Sequence, residues 1–271
     1  MHVILTRPLE EAGAWQAGLQ AAGHRVAAWP LIDFAAAGDV QPARDVWQQI
    51  AAGDRSFQAV MFVSARAVRS FFSTCPFNLD WSVLTVRCWA TGPGTRRALL
   101  EVGVPAQRID SPPPEAGQFD SEALWSLVAP HLVPGKPVLI VRGDDAAEAP
   151  VASAVAEPSR GRGRDWLGQR LQGAGVPVQW LVAYVRVCPV WDEAQRVRAA
   201  QAAHDGSVWV FSSSQALYHL RALLPAVDWT PARAIATHER IAQAARALGF
   251  GQVTVVRPVL AEVIGSLESA P

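Results

Sequence analysis

Short apolar runs alternate along the chain with longer stretches in which apolar residues recur every three or four positions. Val3–Arg7 reads as a strand, the stretch after it as a helix stopped at Gly23, and Val26–Phe34 as an unusually long second strand. The same order returns in Val138–Gly143, a helix ending near Gly175, and Gln179–Val187. A second pair of segments also matches. Val60–Val68 resembles Trp209–Leu217; then Ala90–Thr95 leads to a Gly stop at Gly103, as Ala236–Ile241 leads to one at Gly249. Strand and helix patterns in regular alternation predict parallel sheets with helices on both faces. Asp144–Arg164, rich in Ala, Pro, Gly and Arg, interrupts the second copy and reads as an exposed, mobile loop.

This order allows two partitions. Sequential pairing gives one domain per copy. Nesting makes a middle domain of 38–180 inside an outer domain of 1–34 and 186–271, with 30–37 and 180–188 as a two-stranded antiparallel hinge. The two long apolar strands favour nesting, because a strand of that length can leave one sheet and enter a connector. The expectation is an α/β protein of two parallel-sheet domains of flavodoxin-like or Rossmann-like type.

Composition narrows the partners. The 271 residues are 50% hydrophobic and 18% charged, which suits two globular cores. Acids and bases balance at 24 each, so no global field draws the chain to nucleic acid or to a membrane surface. A polyanion could be held only by a local cluster. The basic residues other than Lys136 are arginines, whose planar fork suits carboxylates. Cys75, Cys88 and Cys188 have neither metal-ligand nor redox spacing and read as small buried hydrophobes in a reducing compartment. The N-terminus lacks the pattern of a signal peptide, and no apolar run approaches the ~20 residues of a membrane span. A cytoplasmic location is expected.

The polar residues that matter sit where predicted strands end. Thr6 and Arg7, Ser64 and Arg66, Gly92, Gly94 and Thr95, Arg142 and Gly143, Ser212 and Ser213, and Thr237 and His238 occupy six such places. Ligands of open α/β sheets bind there, and helix N-termini attract carboxylates and phosphates. Glycine at 92, 94 and 143 would let a ligand approach the backbone. For any one place, ordinary capping by Ser or Thr is the plainer reading; six places together favour anion binding. Tyr184 lies on the long apolar strand expected to face the cleft between domains, where a phenol can exchange a proton from an apolar setting.

Other chemistries fail on spacing. Gly92-Pro93-Gly94 is too sparse for a dinucleotide fingerprint, and Lys136 lacks a Walker frame. The six histidines have no paired ligand spacing, and Ser213 stands outside any nucleophile elbow. Neither a metal nor an organic cofactor is expected. Asp144, Asp145 and Glu148 sit in the insertion and read as solvated.

Leu5–Pro8, Phe62–Val68, Ala90–Ala98, Val141–Gly143, Tyr184, Phe211–Ser213 and Arg240–Phe250, in this order, resemble the uroporphyrinogen-III synthase family over nearly the whole chain. That resemblance implies the nested two-domain fold, a cofactor-free cyclising lyase, and hydroxymethylbilane as substrate, a linear tetrapyrrole with eight carboxylates. It implies loss of the terminal hydroxyl as water, attack by the far pyrrole at its substituted carbon, a spiro intermediate, and re-closure with that ring inverted. Tyr184 matches the family's cleft tyrosine, Ser64 and Thr95 match middle-domain cleft residues, and Ser213 an outer-domain one. Val63 and Thr237–Arg240 depart from the family pattern. A monomer is expected. The rival reading is a non-catalytic two-domain module that closes on a polycarboxylate.

Overall fold

The computed structural model describes residues 1–52, 57–113, 121–145 and 162–269. Its first sheet is built from β1 (His2–Leu5), β2 (Arg25–Ala28), β9 (Val208–Phe211), β10 (Arg233–Ala236) and β11 (Gln252–Val255), in the order β11-β10-β9-β1-β2. All four ladders between these strands are parallel. One face carries α1 (Leu9–Ala21) and α10 (Leu260–Glu268), whose Leu19, Val263 and Leu267 bury against Val3, Leu5, Val208, Val210 and Ile235. The opposite side of β9 packs into aromatics: Trp209 meets Trp229 and Phe250 edge-on, and Trp229 stacks on Phe250 at 4.9 Å. Both faces of the central strands are therefore apolar, which explains runs such as Val208–Phe211 that show no alternation.

The second sheet runs β3-β8-β7-β4-β5-β6. Its strands are β3 (Asp33–Ala36), β4 (Ala59–Phe62), β5 (Arg87–Ala90), β6 (Ile109–Asp110), β7 (Val138–Asp145) and β8 (Val178–Val187). The ladders from β8 through β6 are parallel. Side chains of α2 (Gln41–Ala51), α3 (Ala65–Phe72) and α4 (Pro93–Glu101) share one core with Leu139, Val141, Leu181 and Tyr184. Those of α5 (Ser121–Val128) and α6 (Arg162–Gly173) share the other with Val138 and Ile140. Between the sheets' strands the chain also forms α7 (Glu193–Ala202), α8 (Ser214–Leu223) and α9 (Glu239–Leu248).

The first sheet and its helices form one unit, Met1–Asp33 with Val187–Pro271; Phe34–Arg186 forms the other. The chain crosses between them at the ends of β3 and β8, which are neighbours in the second sheet.

Two expectations need correction. Val26–Phe34 is not one strand: β2 stops at Ala28 and β3 starts at Asp33. Pro30 lies between them and has no N–H for a ladder. The interruption is anchored instead, since Trp29 N–H donates to the Leu5 carbonyl, Leu31 N–H to that of Thr6, and the buried His219 ring contacts the Leu31 carbonyl oxygen at 2.5 Å. The insertion is also shorter than Asp144–Arg164: Asp144 and Asp145 finish β7, and α6 starts at Arg162. Residues 146–161, with Glu148, lie outside the described residues. Trp47 is fully buried, and Trp15, Trp125 and Trp166 pack against the cores. Of the cysteines only Cys88 is buried; Cys75 and Cys188 are half-buried.

Candidate functional site

The site grows from an irregularity in the ladder of β7 and β8. Register runs Val141 to Leu181 and Arg142 to Val182, then skips so that Gly143 opposes Tyr184, with Ala183 as the extra residue. Strict alternation from Leu181 would send Tyr184 to the α5–α6 face. The bulge turns it back, and Leu181, Ala183 and Tyr184 all enter the core under α2 and α3.

Tyr184 is then held from three sides. A Cβ at Gly143 would overlap Cε2 and Cζ of its ring, so only glycine leaves that slot open. Phe34 meets the ring edge-on at 5.4 Å. The phenolic oxygen lies 3.2 Å from Ser64 Oγ, where either hydroxyl can donate. Ser64 is the N-cap of α3 and accepts the Ala67 N–H at 3.1 Å. With one lone pair committed there, Ser64 can give its proton to Tyr184, leaving the phenol's own proton for another acceptor.

That acceptor would occupy a groove of ≈ 310 Å³ lined by Phe34, Arg44, Arg66, Ser70, Thr74 and Tyr184 among others. Arg66 lies over the Phe34 ring at 4.5 Å. Beside it, Arg186 pairs with Asp145 at 3.1 Å and sits 6.0 Å from the Tyr184 ring centroid.

The remaining candidates take different roles. Gly143, expected to admit a ligand to the backbone, admits the Tyr184 ring. Arg142 and Gly143 lie inside β7, not before a helix. Arg142 points to the α5–α6 side, stacks over Trp180 at 5.0 Å, and leaves its Nε buried without a partner. Gly92 is the extended N-cap of α4; Gly94 and the buried Thr95 form its first turn, with open space around Gly94.

In the other unit, Thr6 is 1% exposed and donates its hydroxyl to the Val210 carbonyl at 2.7 Å, so it offers no donor to a ligand. Arg7 is half-buried, 3.9 Å over Trp15. Burial lowers its guanidinium from the ordinary value, and Glu11 offsets part of this. Ser213 caps α8 by accepting the Gln215 N–H, and His238 Nδ1 caps α9 by accepting the Arg240 N–H. Ser212 is half-buried beside the first cap, and Thr237 is buried before the second. Capping, the plainer reading, thus accounts for Ser64, Ser213 and His238.

Sequence reading missed Arg44, Phe34 and His219. Arg44 lies within α2, away from any strand end, and Phe34 read only as the last apolar residue of a long strand, so nothing in the repeat marked either as part of a site. Among the described residues, no three His, Cys, Asp or Glu side chains gather as a metal site requires.

Comparison with known proteins agrees along the chain. A family model described as uroporphyrinogen-III synthase HemD matches residues 13–260. A uroporphyrinogen-III synthase of Salmonella typhimurium is 28% identical over 267 residues, covering 94% of each chain. The crystal structure of a uroporphyrinogen-III synthetase from Helicobacter pylori superposes with a TM-score of 0.56 at 15% identity, over 99% of both chains. That likeness speaks for the α/β fold alone. A mutant uroporphyrinogen III synthase from Thermus thermophilus gives a TM-score of 0.48 at 17% identity, over 99% of this chain and 97% of that one.

Proposed function

The chain belongs to the uroporphyrinogen-III synthase family, cyclising lyases of tetrapyrrole and haem biosynthesis, and from that premise we propose how its residues carry out the reaction. The substrate is hydroxymethylbilane, and the product is uroporphyrinogen III plus one water. A proton must reach the terminal hydroxyl so that it leaves as water while the adjacent pyrrole supplies electrons to the exposed methylene. The far pyrrole then attacks that methylene through its substituted carbon. The resulting spiro centre fragments and re-closes with the ring inverted, and a final proton loss restores the aromatic pyrrole. The electrophile arises once water leaves, so the protein needs no nucleophile of its own. It must fold a flexible chain and place one proton.

Tyr184 is the proton donor in this reading, and the observation that carries it is the 3.2 Å contact between its hydroxyl and Ser64 Oγ beside the groove. Ser64 holds the phenolic oxygen, and the Ala67 N–H holds Ser64. In the second unit the candidates to hold acidic arms are Arg66, Gly92, Gly94 and Thr95; in the first unit they are Arg7, Ser212, Ser213, Thr237 and His238. Thr6 is left out because its hydroxyl is already committed, and Arg142 stays a candidate through its unpartnered Nε. The crossings of the chain in β3 and β8 serve as the two-stranded hinge.

The test is to incubate the protein with freshly prepared hydroxymethylbilane and separate the oxidised porphyrin isomers. Type III product is expected; type I alone, as forms without a catalyst, would show a module that binds without turnover. Tyr184→Phe should lower kcat about 10²-fold or more, the usual contribution of a placed acid. Its stability loss should be only about 1 kcal/mol, the worth of one neutral hydrogen bond. Wild-type turnover in that variant would remove Tyr184 from the mechanism.

A further inference from the structure

The groove beside Tyr184, in the second unit, presents arginine to an anion. Arg44 and Arg66 line it, and none of its lining residues is Asp or Glu. With 24 acids against 24 bases in the whole chain, a lining that holds arginine and no acid is the local setting that draws a carboxylate. Arg66 is positioned by its packing over Phe34. Arg44, on α2, is exposed, and among the described residues no hydrogen bond or ion pair engages its side chain. The acids adjacent to it in sequence hydrogen-bond elsewhere: Asp45 accepts from Gln41 Nε2 at 2.7 Å, and Asp39 accepts the Gln41 N–H at 2.8 Å.

The hydroxyls of the groove cannot substitute for the arginines. Ser73 donates to the Ser70 carbonyl at 2.9 Å and Thr74 to that of Phe71 at 2.7 Å, so both protons are spent within α3 and its last turn. Among these serines and threonines only Ser70 keeps its proton for a ligand. Size sets the other limit. At ≈ 310 Å³ the groove is at the lower end of ligand cavities, which run about 300–1,000 Å³. A groove of that size suits one ring with its arms.

Resting on the synthase reading, we infer that this groove seats a single pyrrole of the substrate by a carboxylate arm and that Arg44 is a positioning residue for it. Its fork takes the carboxylate, Phe34 offers an aromatic edge to the ring, and the seated unit lies against Tyr184. Arg44 acts by holding the substrate and takes no part in proton transfer.

Steady-state kinetics of Arg44→Ala and Arg44→Lys test this. Arg44→Ala should raise KM about tenfold, as expected for loss of charge-assisted hydrogen bonds in a partly open groove. Its kcat should stay within about twofold. Arg44→Lys should recover part of the loss, since charge remains while the fork is gone. Added salt should raise KM of the wild type more steeply than that of Arg44→Ala. A KM within about twofold of wild type with an unchanged salt slope overturns the assignment, and so does a fall confined to kcat. A monopyrrole bearing one acetate and one propionate, titrated calorimetrically into both proteins, provides a measurement independent of turnover. Binding should be seen with the wild type and be lost in Arg44→Ala; equal binding, or none to either, refutes the groove. Type I product alone from the wild type would sink the synthase reading, whereas type III product with an indifferent Arg44 would sink this inference and leave that reading standing.

Discussion

His2, at the start of β1, has its Nδ1 2.8 Å from Ser207 Oγ, and Ser207 N–H in turn donates to Asp205. Burial lowers its imidazole below the ordinary 6.5; Arg25 and the N-terminal amine push the same way, and Asp205 opposes them. A lowered value means the unfolded chain takes up this proton first. The contribution to stability is therefore complete above about pH 6.5 and is lost as pH falls from there through the lowered folded value. Asp205 is also lowered: burial raises it, but the Ser207 hydrogen bonds outweigh that, so its own acid loss begins only below its ordinary 3.8. Thermal scans between pH 7.5 and 5 should show the melting temperature of the first unit falling more steeply in the wild type than in His2→Gln. Parallel slopes would rule this out. Cys88 shows the same physics without a switch. Burial pushes its thiol up to about 12, so it stays protonated and inert between the sheet and its helices.

At the scale of elements, the skip between β7 and β8 does more than any single side chain. It decides which face of the sheet receives Tyr184, and the slot it needs is Gly143. Gly143→Ala forces the ring off its seat. Overpacking of this kind costs about 1–3 kcal/mol, and turnover should fall as well because the contact with Ser64 is lost. Denaturant midpoints should show the stability penalty shrinking when Gly143→Ala is made in a Tyr184→Ala background, where no ring remains to collide. A Gly143→Ala protein with wild-type midpoint and turnover would contradict the slot. The alternation of strands and helices, the Gly stops at Gly23, Gly103, Gly175 and Gly249, and the Ser64 and Ser213 caps were legible in the sequence, because each follows from local backbone preference; the break of the second strand at Pro30 was not. The bulge was not, since a run such as Leu181–Val185 has no polar residue to betray a change of face.

For the whole molecule, each sheet has its own helices and its own core, and no strand is shared. Unfolding followed by calorimetry should depart from a single two-state transition. Leu19→Ala, in the core of α1 and β1, should move one component, and Leu139→Ala, beneath α3, the other. Each would cost about 2–5 kcal/mol if the cavity does not collapse. One transition shifted equally by both substitutions would show that the units melt together.

Alternation of apolar and polar positions was enough to identify an α/β chain with parallel sheets, and the order of its motifs was enough to identify the family. Both are properties of neighbours in sequence, where periodicity and capping operate. The residues around Tyr184 come from β3, α2, α3, β7 and β8, and no local rule links Phe34, Arg44, Ser64, Gly143 and Tyr184. Parallel strands bring such distant segments side by side, and a one-residue slip in their register then chooses the face. That choice rests on packing between ladders and helices, a long-range balance of which the linear order of residues carries no mark.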